Sequence, residues 1–516
     1  MQWNNGYVAD VEYETAFFPV LSPAHLAFAC ILNNVEPIAP DAPFTYFELG
    51  FGQGFTLNLL AAANPHGRFY GNDFHPAHVA TARQLATSAA LDNLVVLENS
   101  FAEMADGDVD LPQFDFITMH GIYSWVNAEN RQHIVRFLSR YLKPGGLVYI
   151  SYNVLPEWAS ATPMQWLLLE QGKTGVSGSE AQIRQGRELI DRLRNEKSGY
   201  FATHDDPFLH YRLDRLADAP TAYLAHEYLN HGWEALYHAD VARDLAAAKL
   251  EFAGSATFFK ALPHLYLSTQ QQALLASIPN QGLRETTRDF LHAAGLRRDI
   301  FVRGRRAMTP ARQSAWLRKI GLAPTKPRDA CTIEAGPWLA TENQFAAVLD
   351  ALADGPRTWH ELVSLAGLGD QPQSTLIEIA VVLEHSGIAS PYFLGAANQD
   401  PQPARRLNLA IAQHSSVDDR YQALASPLLG NGTVSGLMQR MVYAELEQQT
   451  GEIDVAALAR KICAVMAEQG TPILRDDERL ASTEDELAHV VWTIDAIRAQ
   501  RVPIWRGLHI FQGENP

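Results

Sequence analysis

The chain has 516 residues, of which 47% are hydrophobic and 19% charged, a composition that excludes wholesale disorder. At roughly 100 to 200 residues per domain, this length predicts about three domains. Acidic residues number 58 against 41 Lys and Arg, and the formal net charge of -17 disfavours a nucleic acid as partner.

Cysteine spacing and the N-terminal sequence indicate the compartment. Cys30, Cys331 and Cys463 lie far apart, with the spacing of neither a disulfide framework nor a zinc site. The first 19 residues carry acidic side chains and no basic stretch before an apolar core, unlike a secretory signal. Apolar runs fall short of the roughly 18 residues that cross a bilayer. We therefore expect a cytoplasmic protein with no membrane insertion.

From residue 44 to 151 the sequence alternates β-rich runs with helical stretches. This alternation predicts an α/β fold in which crossover helices join parallel strands into an open, doubly wound, Rossmann-like sheet. The predicted strands are 44–49, 68–72, 94–98, 114–119 and 147–151. The predicted helices are 56–63, 76–90 and 129–142.

Beyond residue 156 the sequence becomes mostly helical, which predicts a helical accessory domain built onto the sheet. The proline-rich stretch 304–337 is the expected linker. Three short helical patterns and a possible strand then predict a winged-helix-like module, whose mainly acidic charge favours a protein contact over DNA reading. A mostly helical region ends the chain. The expected divisions are 1–165, 166–310, 335–400 and 401–516.

The sharpest functional signal is the sequence Glu-Leu-Gly-Phe-Gly-Gln-Gly at residues 48–54, after the first predicted strand. Glycines at this spacing let the backbone turn tightly and approach a ligand closely. Asp73 ends the second strand, where a carboxylate can accept both hydroxyl protons of a ribose. Phe55 stands where a dinucleotide turn needs its last glycine, so the spacing favours S-adenosyl-L-methionine over NAD. A tight turn without a ligand is the alternative.

These motifs resemble those of class I S-adenosylmethionine-dependent methyltransferases, and the Lys-Pro-Gly-Gly turn at 143–146 agrees with them. The resemblance implies that the methionine moiety lies at the glycine turn, the ribose at Asp73 and the adenine beside residues 99–101. Ser100 departs from the pattern, since many members carry an Asp there. The residues that we assign to the cofactor are Tyr13, Glu48, Gly50, Gly52, Gly54, Asp73, Phe74, Ser100, Phe101 and His120.

Substrate is expected where the fourth and fifth strands end, because such sheets bind ligands at their carboxyl edge. Residues 120–126 and 151–158 follow these strands, and both are aromatic and polar. Aromatic walls can hold a cationic sulfonium and an amine by cation–π attraction, or they can simply pack the sheet edge against the helical module. The candidate walls are Tyr123, Trp125, Tyr152 and Trp158, with Asn153 orienting the acceptor.

A second cluster lies at residues 223–230, where His226 and Glu227 are candidates for a proton acceptor and its orienting carboxylate. A core histidine with a satisfied hydrogen bond is the alternative. With residues 249–256, the cluster resembles the methyltransferase regulatory domain of a bacterial group that includes protein-lysine methyltransferases acting on outer-membrane proteins. That resemblance implies a lid over the cofactor at residues 13–23 and is consistent with a homodimer. The expected catalytic residues are His120, Tyr123, Trp125, Tyr152, Asn153, His226 and Glu227.

The favoured hypothesis is a methyltransferase that acts on lysine side chains of a protein substrate by direct displacement. The alternatives are a small-molecule methyltransferase of a biosynthetic pathway and a catalytically silent, cofactor-binding interaction protein. The histidines at 75, 78, 204 and 210 form no i, i+4 pair with a supporting carboxylate, so we expect no metal.

Overall fold

The computed structural model describes residues 6–172, 178–196, 199–333, 336–448, 453–475 and 478–513. Within these ranges, seven strands form the main sheet: β1 (Thr45–Leu49), β2 (Arg68–Asp73), β3 (Leu94–Glu98), β4 (Phe114–Met119), β5 (Leu142–Asn153), β6 (Leu250–Ser255) and β7 (Leu296–Arg303). Their order is β3-β2-β1-β4-β5-β7-β6. Strands β1 to β5 are parallel, and β7 runs antiparallel to both β5 and β6.

This sheet confirms the predicted Rossmann-like α/β fold. The strand order reverses between β1 and β4, which places a crevice at the carboxyl ends of the central strands. The helices around the first five strands are α1 (Pro23–Leu32), α2 (Phe55–Ala63), α3 (Pro76–Ser88), α4 (Phe101–Asp106) and α5 (Ala128–Tyr141). Every residue of α2 is buried, so this helix is covered on its outer side as well.

A helical layer follows β5. Its helices are α6 (Thr162–Gln171), α7 (Ser179–Asn195), α8 (Gly199–Thr203), α9 (Pro207–Asp218), α10 (Thr221–Tyr228) and α11 (His238–Ala246), with α12 (Thr269–Ala276) and α13 (Gln281–Leu291) between β6 and β7. Helices α6 to α10 share a hydrophobic cluster of their own, which includes Trp158, Leu168 and Ile183.

The region predicted as a mostly helical accessory domain, 166–310, also contains β6 and β7, which complete the main sheet. Phe252, Ile300 and Phe301 on these strands are buried in the sheet cores. Their apolar runs are short and flanked by long helical patterns, and a short run of this kind does not show from sequence which sheet it joins.

The predicted linker at 304–337 is wrong. It contains α14 (Pro310–Leu317) and β8 (Ile320–Pro324), and Trp316, Leu317 and Leu322 are buried. The prolines of these elements stand at their ends, where proline is tolerated: Pro310 begins α14 and Pro324 ends β8.

Strand β8 belongs to a small sheet with β9 (Arg357–Thr358) and β10 (Ala389–Phe393), in the order β10-β8-β9. The three predicted helices are present as α15 (Glu342–Ala353), α16 (Trp359–Val363) and α17 (Gln373–His385). Assignment of this part to a winged-helix fold stays a prediction. Residue 335, the predicted start of the module, lies outside the described residues.

The C-terminal region is mostly helical, as predicted. Its elements are α18 (Gln402–His414), β11 (Ala423–Ser426), β12 (Asn431–Val434), α19 (Leu437–Gln448), α20 (Val455–Glu468), β13 (Leu474–Arg475), β14 (Glu478–Arg479), α21 (Thr483–Ala496) and α22 (Val502–Gly507). Helix α18 and the β11–β12 hairpin pack against α2, and α18 also contacts α3. The C-terminal region therefore covers the outer side of the helices that flank the central strands.

Candidate functional site

The glycine turn follows β1 directly. Gly50 and Gly52 have φ angles of +68° and +58°, a left-handed conformation that side chains rarely adopt. The Gly52 amide donates a hydrogen bond to Asp73 Oδ2 at 2.9 Å, which ties the turn to the end of β2. Gly54 has another role, because a Cβ there would lie 2.5 Å from the Ala82 Cβ. Gly54 therefore permits α2 to pack against α3 and does not line the site.

Asp73 is held in one orientation by several donors. Its Oδ1 atom accepts hydrogen bonds from the His75 amide at 2.9 Å and from His78 Nδ1 at 3.3 Å, in addition to the Gly52 amide on Oδ2. Only 7% of the residue is exposed. A carboxylate fixed in this way at the strand end is ready to accept the two hydroxyl protons of a ribose.

Glu48 is a buried acidic residue whose carboxyl group lacks a hydrogen-bond donor. Its Oε2 atom has no hydrogen-bond partner among the described residues. Burial, reinforced by the nearby Asp73 carboxylate, raises the pKa of Glu48 to about 8. An ammonium group delivered beside this carboxyl would supply both the missing donor and the missing positive charge.

The crevice consists of two adjoining chambers. The first, the cofactor chamber, is lined by Glu48, Gly50, Gly52, Asp73, Phe74 and Phe101. The second, the acceptor chamber, is lined by Ser151, Asn153, Trp158, Tyr223, His226 and Glu227. The residues that line both are Tyr7, Tyr13, Phe18, His120, Gly121 and Trp125. A ligand in the first chamber would therefore face the second across a largely aromatic boundary.

His120 stands at this boundary. Its Nδ1 atom hydrogen-bonds to the Tyr149 hydroxyl at 2.8 Å, and its ring lies 4.1 Å from that of Phe18. Burial lowers the pKa of His120 to about 3, so the imidazole is neutral at physiological pH. A neutral ring adds no positive charge beside a cationic ligand.

Ser100 lines the cofactor chamber, but its side chain caps α4. The hydroxyl donates to Glu103 Oε2 at 2.9 Å and accepts from the Glu103 amide at 3.3 Å. This capping box commits the Ser100 hydroxyl to the helix. The predicted adenine contact is therefore left to backbone atoms and to Phe101, the first residue of α4.

Glu227 pairs with a cation inside the acceptor chamber. Its Oε1 atom accepts from Arg212 Nη2 at 2.9 Å. The Arg212 guanidinium lies over the Trp158 ring, 4.4 Å from its centroid. Burial raises the pKa of Glu227, and the charge of Arg212 opposes that shift. The chamber thus holds a buried, charge-balanced pair against aromatic rings.

His226 lines the acceptor chamber, and one of its ring nitrogens has no hydrogen-bond partner among the described residues. Its Nε2 atom donates to the Val11 carbonyl at 2.8 Å, whereas its buried Nδ1 has no partner among the described residues. Burial lowers the pKa of His226 to about 4, so Nδ1 carries a free lone pair at neutral pH. This atom can accept a hydrogen bond from a donor group of a ligand.

Two predicted wall residues lie elsewhere. Tyr123 donates its hydroxyl to Asp244 Oδ2 at 3.2 Å, and the Tyr152 hydroxyl donates to Asp299 Oδ2 at 2.7 Å. Neither lines a chamber. Successive strand residues face opposite sides of a sheet, so Ser151 and Asn153 reach the acceptor chamber while Tyr152 points away from it. Apart from these two tyrosines and Gly54, the structure brings the predicted residues to the chambers, among them Trp125 and Trp158.

We expect Tyr123→Phe to change the turnover of methyl transfer less than twofold. The variant removes one hydrogen bond to Asp244, outside both chambers, and should lower the free energy of unfolding by about 1 kcal/mol. Steady-state kinetics and thermal unfolding measure the two effects. A tenfold loss of turnover would place Tyr123 in the reaction after all.

Sequence reasoning placed Phe18, Gly121 and Ser151 in the predicted lid and strand-end segments without singling them out. It missed Tyr7 and Arg212 as chamber residues and His78 beside Asp73. The Phe-Phe-Pro stretch at 17–19 was a usable signal for Phe18. No sequence signal indicates Arg212, because it is one polar residue of an amphipathic helix. Only the folded structure brings it to Trp158 and Glu227.

Neither a metal-binding cluster nor a membrane-spanning helix is present in the described ranges. No three His, Cys, Asp or Glu side chains there come together in a way that could hold a metal ion. None of the described helices has the length and apolar content of a membrane-spanning helix.

The residues that line the cofactor chamber have the chemistry needed to bind S-adenosylmethionine. Glu48 lacks a donor that an amino group supplies, Asp73 is fixed where ribose hydroxyls bind, and Phe74 and Phe101 offer rings to a base. The glycine turn leaves room beside Gly52, where an added Cβ would meet nothing nearer than Tyr13 at 3.6 Å.

Comparisons with known proteins agree with this geometry. Residues 47–148 match the family model described as a methyltransferase domain, and residues 220–303 match that of a predicted methyltransferase regulatory domain. The chain shares its fold with PKMT2 from Rickettsia typhi in complex with AdoHcy, with a TM-score of 0.69 and 17% identity over 96% of this chain and 99% of that one. The uncharacterized protein RP789 of Rickettsia prowazekii is 28% identical over 235 residues, 43% of this chain and 41% of the relative.

Fold and site together define a class I S-adenosylmethionine-dependent methyltransferase, and S-adenosyl-L-methionine is its cofactor. The regulatory-domain match covers α10, α11 and the last two strands of the main sheet, β6 and β7. The chain belongs to the family of the uncharacterized protein sll1526 of Synechocystis sp. (strain ATCC 27184 / PCC 6803 / Kazusa), to which it is 34% identical over 520 residues, 99% of this chain and 100% of the relative.

Binding of S-adenosylhomocysteine is expected to release close to one proton at pH 7. Glu48, with its pKa raised to about 8, is mostly protonated in the free protein, and the ligand's ammonium favours its ionised form. Affinity should therefore rise with pH by up to about tenfold per unit below pH 8 and then level off. Titration calorimetry in buffers of different ionisation enthalpy measures the proton. Glu48→Gln should abolish its release, and an unchanged proton count in that variant would refute the assignment to Glu48.

Proposed function

We propose that this methyltransferase transfers methyl groups to lysine side chains of protein substrates. The observation that carries the proposal is the acceptor chamber, in which the buried Glu227 carboxylate lies among aromatic rings beside the cofactor chamber. Aromatic faces attract an ammonium-bearing chain, the carboxylate neutralises the Arg212 cation that would repel it, and the rings exclude water once the chain has entered.

The shared fold supports the proposal. PKMT2, whose name abbreviates protein lysine methyltransferase, has this fold over nearly its whole length. The accessory layer adds support, because α9 and α10 bring Arg212, Tyr223, His226 and Glu227 to the acceptor chamber. An accessory layer of this size is more than a small acceptor would need to be enclosed.

Loss of a proton from the lysine must precede methyl transfer. A free lysine has a pKa of about 10.4, so it is almost entirely charged at neutral pH. Burial among the rings of the acceptor chamber lowers that pKa, because desolvation disfavours the charged form, and the proton passes to solvent as the amine enters. His226 Nδ1 can then accept a hydrogen bond from the neutral amine and orient it, while Glu227 and Arg212 balance the local charge.

Positioning is the main contribution of the remaining residues. When bound, S-adenosylmethionine supplies an electrophilic methyl group on its sulfonium. His120 and Trp125 line both chambers and define the opening through which the amine must point. Alignment of an attacking group in this way can account for several kcal/mol of a displacement barrier, about 7 or more in favourable cases.

The proposal is tested by incubating the protein with methyl-labelled cofactor and a cell lysate, followed by separation of protein from small molecules. We expect label in the protein fraction and methyllysine after its hydrolysis. Asp73→Ala serves as the inactive control. Label confined to the small-molecule fraction, or recovered on another amino acid, would overturn the lysine assignment while leaving the methyltransferase class intact.

A further inference from the structure

The N-terminal segment, residues 6–22, forms part of both chambers through Tyr7, Tyr13 and Phe18. Three imidazoles hydrogen-bond to its backbone at every second residue: His75 to the carbonyl of Ala9 (3.2 Å), His226 to that of Val11 (2.8 Å) and His78 to the amide of Tyr13 (3.3 Å). Since this segment forms part of the wall between cofactor and acceptor, its position decides how tightly either ligand is held.

The C-terminal part of the segment, residues 17–22, is held by a part of the chain about 400 residues away. The C-terminal hairpin, residues 423–434, contacts it at several points. Asn431 Nδ2 donates to the Pro19 carbonyl at 2.9 Å, and Ser22 Oγ donates to the Gly430 carbonyl at 2.9 Å. Gly432 lies so close to Phe17 that an added Cβ would be 3.0 Å from Phe17 Cζ.

The same hairpin also packs against α2, the helix that begins after the glycine turn. Asn64 Nδ2 donates to the Gly430 carbonyl at 3.0 Å, and a Cβ on Gly432 would lie 2.7 Å from Leu59 Cδ2. Just before the hairpin, the Tyr421 ring lies 5.0 Å from that of Phe55. One element thus fixes the distance between the N-terminal segment and the helix whose first turn adjoins the cofactor chamber.

We infer that the C-terminal hairpin is a positioning element for methyl transfer, with Gly432 and Asn431 as positioning residues that hold the N-terminal segment over the bound cofactor. The C-terminal region is then part of the catalytic unit although none of its residues lines either chamber. The inference goes beyond the proposed acceptor and does not depend on it, because its readout is cofactor binding.

Close packing at Gly432 makes a single methyl group a sensitive probe. Leu59 is fully buried in the core and cannot yield easily, whereas Phe17 is only half-buried and lies on the N-terminal segment. Gly432→Ala should therefore displace Phe17, and with it Phe18 at the chamber boundary. Gly436→Ala is the matched control, since an added Cβ there would meet nothing within 4 Å.

The test compares full-length variants by S-adenosylhomocysteine affinity, its dissociation rate and amide hydrogen exchange of residues 6–22. For Gly432→Ala we expect at least about fivefold weaker binding, mostly through faster dissociation, and faster exchange in the segment. Gly436→Ala should match the wild type in all three. Wild-type affinity and exchange in folded Gly432→Ala would overturn the inference, as would an equal loss in the Gly436→Ala control.

A second variant keeps the inference testable if Gly432→Ala does not fold. Asn431→Ala removes two hydrogen bonds from a partly exposed site: the one that Asn431 Nδ2 donates to the Pro19 carbonyl and the one that Asn431 Oδ1 accepts from the Gly432 amide. We expect about two- to threefold faster dissociation of S-adenosylhomocysteine and faster exchange at residues 6–22. A purely structural hairpin would lower the unfolding temperature of this variant and leave both readouts unchanged, which would refute the positioning role.

Discussion

Asp73→Ala is expected to weaken binding of S-adenosylhomocysteine at least about a hundredfold. Hydrogen bonds to a charged group contribute about 1.5 to 3 kcal/mol each, so loss of two ribose contacts removes about 3 kcal/mol or more. The carboxylate also holds the Gly52 amide and the His78 ring, and the glycine turn loses that anchor as well. Isothermal titration measures the affinity, and thermal unfolding shows that the variant remains folded.

Asp115 provides a matched control on the same sheet. Its Oδ2 atom accepts from the Thr45 amide at 2.8 Å and from Lys143 Nζ at 2.7 Å, at the end of the central strands away from the chambers. Asp115→Ala should reduce stability and leave affinity for the ligand within about twofold. Near-wild-type binding by Asp73→Ala would remove the ribose assignment.

Glu227→Gln is expected to lower the rate of methyl transfer about a hundredfold while affinity for S-adenosylhomocysteine stays within about twofold. Without the carboxylate, the buried Arg212 cation is no longer neutralised and opposes the entry of a substrate ammonium. An unbalanced charge of this kind adds a barrier of about 3 kcal/mol, below the roughly 4 kcal/mol for two charges 4 Å apart at an effective dielectric of about 20. Labelled transfer to lysate protein measures the rate.

The control is a partly buried Arg–Glu pair in another part of the chain. Arg405 Nη2 lies 2.7 Å from Glu447 Oε2 in the C-terminal region, away from both chambers. Glu447→Gln should lower stability by an amount similar to Glu227→Gln and leave transfer unchanged. If both variants lose activity in proportion to their stability, Glu227 has no role in the acceptor chamber beyond folding.

The cofactor site could be predicted because its signal is local. The glycine turn and Asp73 stand at fixed positions after two neighbouring strands, and the parallel pairing of β1 with β2 brings them together. Their residue types follow from what a ribosyl ligand requires of a backbone turn and a carboxylate.

The acceptor chamber could be predicted only in part. The predicted residues that reach it are Trp125, Trp158, Asn153, His226 and Glu227. Arg212, which pairs with Glu227, comes from another helix and was not predicted. Tyr152 was misplaced because a one-residue difference along a strand reverses the face of the sheet, and sequence does not show where that alternation begins. The linker prediction at 304–337 was wrong because proline at the end of a helix or strand and proline in a loop look alike in sequence.

The most direct test of the central claim is a crystal structure of the protein with S-adenosylhomocysteine bound. We expect the ribose hydroxyls on the Asp73 carboxylate, the amino group beside Glu48 and the thioether at the boundary near His120, facing Glu227. A ligand whose sugar lies away from Asp73, or a glycine turn that stays empty at saturating ligand, would contradict the account.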